Sequence, residues 1–315
     1  MANAWNGYAK TYTSEIDKKI VQGSKTGFFA DNDFGAKFVG TKQVIVPELE
    51  MVGMGDYKRV GNGLANEGYP KGKTVVDYKS YELTRERARM LPFDASDADE
   101  SGVANLAGKI TGEYTKNFVI PEIDAYNLSK LYSIAAEKEH VTAVDTTSSS
   151  TSQNKAVSSF IDTITEVEES VGFGDEELIA FVDKKMWNLL MNSDKFSRQI
   201  IVSDFKQGGI DMRVREINGV KLIPVDANRM RTEFEFDAGA TVDAGGFRPK
   251  AEDTPHIRSI ILPKKSACLI KKIDEIKIFT PQENQTGNGY IIDFHSYFDL
   301  LVKESRKGTI YALYE

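Results

Sequence analysis

From Val103 to Ala135, apolar side chains return at three- to four-residue intervals, through Ala107, Ile110, Tyr114 and Phe118 and then Leu128 and Leu131. That is the spacing of one helical face. Asp97, Asp99 and Glu100 stand just before the run and suit the positive end of a helix dipole, and Lys138 sits in its last turn. Pro121 interrupts it, removes a backbone donor, and is expected either to kink the helix or to begin a second one in line with the first. At about 1.5 Å per residue the stretch 101–139 would reach roughly 55 Å, long enough to brace several other elements. Two ordinary amphipathic helices in a compact domain are the other reading.

The same patterning predicts the remaining elements. KQVIVPELE (42–50) reads as a strand with Val44, Val46 and Leu49 as its apolar members. DYKRV (56–60) and TVVDYKSYEL (74–83) read as the arms of a hairpin whose connection carries Gly61, Gly63, Gly68, Gly72 and Pro70. A ribbon with so little to bury is marginal alone and needs a partner surface. Arg85, Arg87 and Arg89 alternate along an extended segment and share one face. With Asp94, Asp97, Asp99 and Glu100 just downstream, a charge match to a neighbouring protein is expected there ahead of nucleic acid. Residues 1–34 read as an arm, with Phe28, Phe29 and Phe34 expected to strap it onto another surface.

Beyond a polar loop at 141–155 the texture becomes α/β. Val157, Phe160, Ile161, Ile164 and Val167 predict a helix over 155–172 ending at Gly172. ELIAFVD (177–183) predicts a buried strand, and 184–196 a helix with Met186, Leu189 and Leu190 inward. Asn218-Gly219 between apolar runs is a type I′ hairpin signal. Residues 227–255 read as a long glycine-bearing loop region, of the kind that is usually functional or contact-forming. Strands over 259–281 and 290–315 close the chain around a turn at 287–289.

Composition narrows the function classes. The 315 residues are 41% hydrophobic and 28% charged, ordinary for a globular protein. A net charge of −7 gives no overall attraction to nucleic acid or anionic membranes. The single cysteine, Cys268, excludes an internal disulfide and a cysteine-based zinc site, and its apolar neighbours make it a small core residue. The N-terminal residues lack the apolar core of a signal peptide, no run approaches a membrane span, and the chain is expected to be made and kept in a cytoplasm. His140, His256 and His295 are far apart in sequence and have no metal-ligand spacing. DASDADE (94–100) lacks the order of an EF-hand loop and leaves only a weak divalent site open. No phosphate loop, nucleophile elbow or zinc-protease motif occurs. No catalytic, cofactor or metal residue is nominated, and the chain is not expected to be an enzyme.

Four strings, taken in order, carry a resemblance: FVGTKQVIVPELEMVGMGDYKR (38–59), VIPEIDAYNLSKL (119–131), REINGVKLIPVDANRMRT (215–232) and GYIIDFHSYFDLLVKESRKGTIYA (289–312). With an arm, a glycine-tipped hairpin, a long helix, an α/β middle and closing strands, the chain resembles the major capsid protein of tailed bacteriophages, the Hong Kong 97-type fold, in the branch typical of phages of Gram-positive hosts. The resemblance implies an α+β fold with an N-terminal arm (1–40), a P-domain strand (41–53), an extended E-loop (54–90), a P-domain with spine helix (91–140), an A-domain (141–258) and P-domain closing strands (259–315). It implies self-assembly as pentamers and hexamers into an icosahedral shell around double-stranded DNA, within a virion assembled in the bacterial host cytoplasm. The implied partners are a portal protein at one vertex, packaged DNA in weak non-specific contact, and a decoration protein. Because the chain begins with only a short arm, the scaffolding protein is expected to be encoded separately. Inter-subunit contacts are expected at Phe28, Phe29, Lys58, Arg59, Tyr69, Lys71, Lys73, Arg85, Arg87 and Arg89, and flexing at Gly61, Gly63, Gly68, Gly72 and Pro121. Lys71, Lys73 and Asn288 are nominal partners for an isopeptide crosslink, but no motif selects them and none is expected. An encapsulin-like shell around an enzyme cargo and a soluble α/β enzyme are the alternatives.

Overall fold

The computed structural model describes residues 23–40, 42–57, 69–94, 106–147, 149–172, 176–193, 201–207, 210–241, 244–284 and 287–315. The chain divides into two compact units, one of residues 33–85 and one of residues up to 32 together with 86–315. The smaller is an antiparallel sheet in the order β1 (Lys37–Val39), β2 (Gln43–Met51), β3 (Thr74–Glu82). The 42–50 strand therefore belongs with the hairpin. Asp56 and Tyr57 have no regular structure, and the rest of the expected 56–60 strand lies outside the described residues.

In chain order the larger unit contains β4 (Arg85–Asp94, whose first residue belongs to the smaller unit), α1 (Leu106–Tyr114), a π-helical turn (Thr115–Val119) and α2 (Ile120–Glu137). β5 (Val141–Ala143), α3 (Ser150–Val171), β6 (Leu178–Asp183), α4 (Lys184–Asn192), β7 (Ile201–Gln207), β8 (Ile210–Ile217) and β9 (Val220–Val225) follow. β10 (Phe234–Phe236), β11 (Phe247–Pro249), β12 (Ile257–Pro263), β13 (Ala267–Phe279), β14 (Gly289–Val302) and β15 (Tyr311–Tyr314) complete it. Seven strands form a mixed sheet in the order β5-β15-β12-β6-β9-β8-β7, and β13, β14 and β4 form a second sheet. The closing strands are thus divided: β12 and β15 complete the large sheet beside β6 and β5, while β13 pairs with β14.

Alternation explains why the large sheet is covered on both faces. Ile179 and Phe181 of β6, Ile260 and Leu262 of β12, and Ile223 and Val225 of β9 pack with Ile123, Leu128 and Leu131 of α2. Leu178, Ala180 and Val182 of β6, Ile261 of β12, and Val220 and Leu222 of β9 face the other way, onto Phe160, Ile164 and Val167 of α3 and Met186 and Leu190 of α4. Every residue of β6 and β12 is buried, which is why ELIAFVD is a continuous apolar run.

Local chemistry sets the element ends. Ser149 Oγ accepts from the Ser152 amide at 3.2 Å and caps α3, so the helix begins five residues before the 155 that its apolar pattern predicts. Asp183 Oδ1 accepts from the Met186 amide at 2.8 Å and caps α4. Gly172 ends α3 at φ +103°, and Asn218 (φ +50°) and Gly219 (φ +80°) make the tight turn between β8 and β9. Pro121 falls in the first turn of α2, directly after the π turn, where the Ile120 amide reaches back to the Thr115 carbonyl. The wider turn makes room for a ring that lacks an N–H, and the backbone stays right-handed helical through Tyr114, Val119 and Ile120.

Phe28 and Phe29 overturn an expectation. They are 1% and 0% exposed in a 3-10 turn (Gly27–Asp31), with ring centroids 6.0 and 6.1 Å from that of Phe181. They fill the chain's own core and offer nothing to a neighbour. Asp124 of α2, fully buried, holds this segment down. Its carboxylate accepts from Ser24 Oγ (2.6 Å), Lys25 N (3.0 Å), Thr26 N (3.1 Å) and Thr26 Oγ1 (2.8 Å), and from Arg229 Nη1 at 2.9 Å. Cys268 is buried, with Sγ donating to the Asn32 carbonyl at 2.9 Å.

A second charged group closes the large sheet. Arg258, 3% exposed at its side chain, pairs with Asp183 and with Glu315, whose carboxylate also accepts from Thr146 Oγ1 at 2.6 Å. Burial alone would raise the Glu315 carboxyl, but hydrogen bonds from Thr146 and Arg258 outweigh it and hold it below the usual range. His256, paired through its backbone with Glu315, is pushed below its ordinary value by burial and then by Arg231 and Arg258; Asp183 opposes and Lys185 adds to the shift.

Two measurements check these anchors. Asp124→Ala leaves Arg229, among the described residues, only the exposed Asp226 at 3.4 Å, and removes the acceptor shared by four donors of Ser24–Thr26. A loss of about 3–5 kcal/mol in chemical denaturation is expected, with Asp124→Asn milder. For pH, the unfolded chain takes the His256 proton before the folded one. Stability is therefore full above about pH 6.5, falls as pH drops from there through the folded value, and falls again below about 4.5 as Glu315 is protonated. A pH series of melting temperatures flat across that range would contradict the arrangement.

Candidate assembly surfaces

Register assigns the faces of the 33–85 sheet, since residues directly opposite share a side. Leu49 lies opposite Val76, Pro47 opposite Tyr78 and Met51 opposite Thr74. One face therefore carries Pro47, Leu49, Met51, Val76 and Tyr78, and the last four are 56%, 69%, 53% and 62% exposed. The other face carries Glu48, which accepts from Tyr81 Oη at 3.2 Å and pairs with Lys79 at 2.8 Å. That side also carries Val44 and Val46, both fully buried, so the sheet has one side covered and ion-paired and the other apolar and bare, a face suited to a partner. Met54, Tyr57 and Tyr69 extend the exposed apolar surface, with the two tyrosine rings edge to face at 5.1 Å.

This stripe was not singled out from sequence, although Pro47-Glu48-Leu49-Glu50-Met51 displays it as strict alternation. Among the residues that were singled out, Tyr69, Lys71, Gly72 and Lys73 are exposed beside it, and Asn288 is exposed elsewhere. Gly72 has open space where a side chain would sit and no left-handed backbone, so its geometry does not require glycine. Lys58, Arg59, Gly61, Gly63 and Gly68 lie outside the described residues, as do Asp97, Asp99 and Glu100.

The three arginines do share a face of β4, the less exposed one. Arg87 and Arg89 are committed within their own chain. Arg87 Nε meets Glu122 Oε1 at 2.5 Å, and Arg87 Nη1 donates to the Asp237 carbonyl at 2.8 Å; Arg89 Nη1 donates to the Ala244 carbonyl at 2.8 Å. The carboxylate expected on a neighbouring subunit is supplied instead by Glu122 of α2. These residues wall a cleft of about 700 Å³ floored by Tyr114, Phe118, Ile276 and Phe294. Tyr114 stacks on Phe118 at 5.2 Å and packs on Phe294 at 4.6 Å, and burial pushes its phenol up, with Glu122 adding to burial and Arg89 and Arg87 opposing. Phe118 is more than half exposed at the rim. His295 Nε2 stands 3.1 Å from Glu86 Oε1, with its ring partly exposed. No described helix is long and apolar enough to cross a membrane.

No protein-family model matches the chain, and no curated protein matches its sequence. Solved structures match it in architecture. The capsid of cyanophage P-SCSP1u aligns with a TM-score of 0.57 at 11% identity, over 88% of this chain and 84% of its own. A structure from Mycobacterium phage Bobi gives 0.55 at 10% identity, over 92% and 89%. The mature capsid of bacteriophage PhiM1 gives 0.52 at 15% identity, over 87% and 82%. At such identities the likeness is one of fold, and the chain shares its α+β fold with these phage capsid structures.

Proposed function

We propose that this chain is the major capsid protein of a tailed bacteriophage, a structural, non-enzymatic component of the virion that assembles with copies of itself into an icosahedral shell around double-stranded DNA. The observation that carries this reading is the bare apolar face of the 33–85 sheet. Burying one large apolar side chain is worth about 1.5–3 kcal/mol, so four left in water are a sizeable stabilisation that only a partner can recover. A neighbouring copy of the same chain is the partner that the fold supplies.

In this reading the 33–85 unit is the E-loop, α1 and α2 are the spine, the β13-β14-β4 sheet is the P-domain sheet, and α3 to β11 belong to the A-domain. The hairpin then reaches a second subunit through Leu49, Met51, Tyr69, Lys71, Lys73, Val76 and Tyr78. Pentamers and hexamers, a portal protein at one vertex, a scaffolding protein during assembly in the host cytoplasm and a decoration protein are the finer partners of such a shell. The acidic chain would hold packaged DNA only weakly.

The test is size exclusion and negative-stain microscopy of the chain expressed alone and with its neighbouring genes. Closed shells, tubes or rings of five or six are expected, and a clean monomer in both conditions would overturn the reading. Particles filled with an enzyme in place of DNA would point to the encapsulin-like alternative. Leu49→Asp combined with Val76→Lys, opposite charges at directly opposite positions, should leave the monomer within about 0.5 kcal/mol per site of wild type, since both positions are surface positions there. It should abolish assembly, as read by the particle fraction in a sucrose gradient.

A further inference from the structure

The turn between β10 and β11 is closed at its neck by the Asp237 amide, which donates to the Gly246 carbonyl at 3.0 Å. Arg87 reads both residues of that neck, donating from Nη1 to the Asp237 carbonyl at 2.8 Å and from Nη2 to the Gly246 carbonyl at 3.3 Å. Its remaining edge is held by Glu122, at 2.5 Å from Nε and 3.3 Å from Nη2. Arg89 enters the loop from the same strand face and takes the Ala244 carbonyl. Gly239 and Gly245 border Arg89 Nη1, where an added Cβ would make only an ordinary contact at 3.4 or 3.5 Å; it is their backbone φ of +71° and +140° that L side chains rarely adopt. Arg87 stands two residues beyond Arg85, the last residue of the 33–85 unit.

From this we infer that Arg87 and Arg89 form a latch that couples the order of the 237–246 loop to the placement of the first residues of β4, in both directions. Arg87 makes four hydrogen bonds from three nitrogens set apart in one plane, whereas an ammonium has three donors on a single nitrogen and cannot span the same acceptors. The latch is therefore a positioning device that uses arginine chemistry and not only positive charge. The coupling lies within the larger unit, does not rest on the capsid reading, and is tested on unassembled chain.

Hydrogen exchange by mass spectrometry on the full-length unassembled protein reads both directions. Arg87→Lys with Arg89→Lys keeps the charge and removes the fork. The amides of the described loop residues should then exchange about tenfold faster or more, while β6 and β12 are unchanged. Gly245→Ala perturbs the loop side alone and should speed exchange at residues 86–90 of β4 as well as in the loop, as reciprocity of coupling requires. Unchanged loop exchange in the lysine variant, or a Gly245→Ala effect confined to the loop, would overturn the latch. Exchange that speeds up uniformly, including β6 and β12, would also overturn it, since it would show global destabilisation in place of coupling.

Discussion

Two strands with no exposed face, β6 and β12, set the terms for the larger unit. A strand buried on both sides needs a covering layer above and below, and the chain supplies α2 to one side and α3 with α4 to the other. Because the same two strands also carry Asp183 and Arg258, the sheet brings a buried ion pair into the space between the layers. Such a pair adds little net stability, but it ties the end of β6 to β12 and to the last residue of the chain. The segment before β1 is fastened in the same manner, by Asp124 acting on backbone and hydroxyl donors.

The smaller unit has the opposite economy. Its three strands complete their backbone pairing and one covered face, with Val44 and Val46 buried beside the Glu48–Lys79 pair, and they leave Leu49, Met51, Val76 and Tyr78 in water on the other. Covering that face would remove a large apolar area from water. The division of labour is therefore between a unit that is sealed and one that is left half covered, joined by a strand whose arginines face inward.

What could be read in advance followed periodicity. β6 was legible because seven consecutive positions are apolar or terminal, and α3 because Val157, Phe160, Ile164 and Val167 keep one face. The turn at Asn218-Gly219 was legible from backbone chemistry alone. The start of α3 was not: Ser150 to Asn154 reads as loop, because the helix there is held by a serine cap and carries no apolar residue to advertise it. Phe28 and Phe29 misled because an aromatic pair in a polar arm says that something is covered without saying by what. Arg87 and Arg89 announced their shared face, but the partner, Glu122 and the carbonyls near residues 237 to 246, lies tens to over a hundred residues away and leaves no local trace. The split of the closing strands between two sheets is likewise a long-range pairing that spacing does not encode.

The π turn before α2 carries a different kind of consequence. Inward-facing positions run Thr111, Thr115, Ile120, Ile123, Asn127 and Leu131, steps of three or four residues except for the single step of five across the turn. Each helical residue advances the face by about 100° and the length by about 1.5 Å, so an extra residue would normally rotate everything upstream away from the core. Absorbed in one widened turn, it is taken up across the axis and leaves the facing on either side intact. Chain length and orientation thereby become separate variables in this helix, which holds one more residue than its pattern needs while keeping the same side against the sheet.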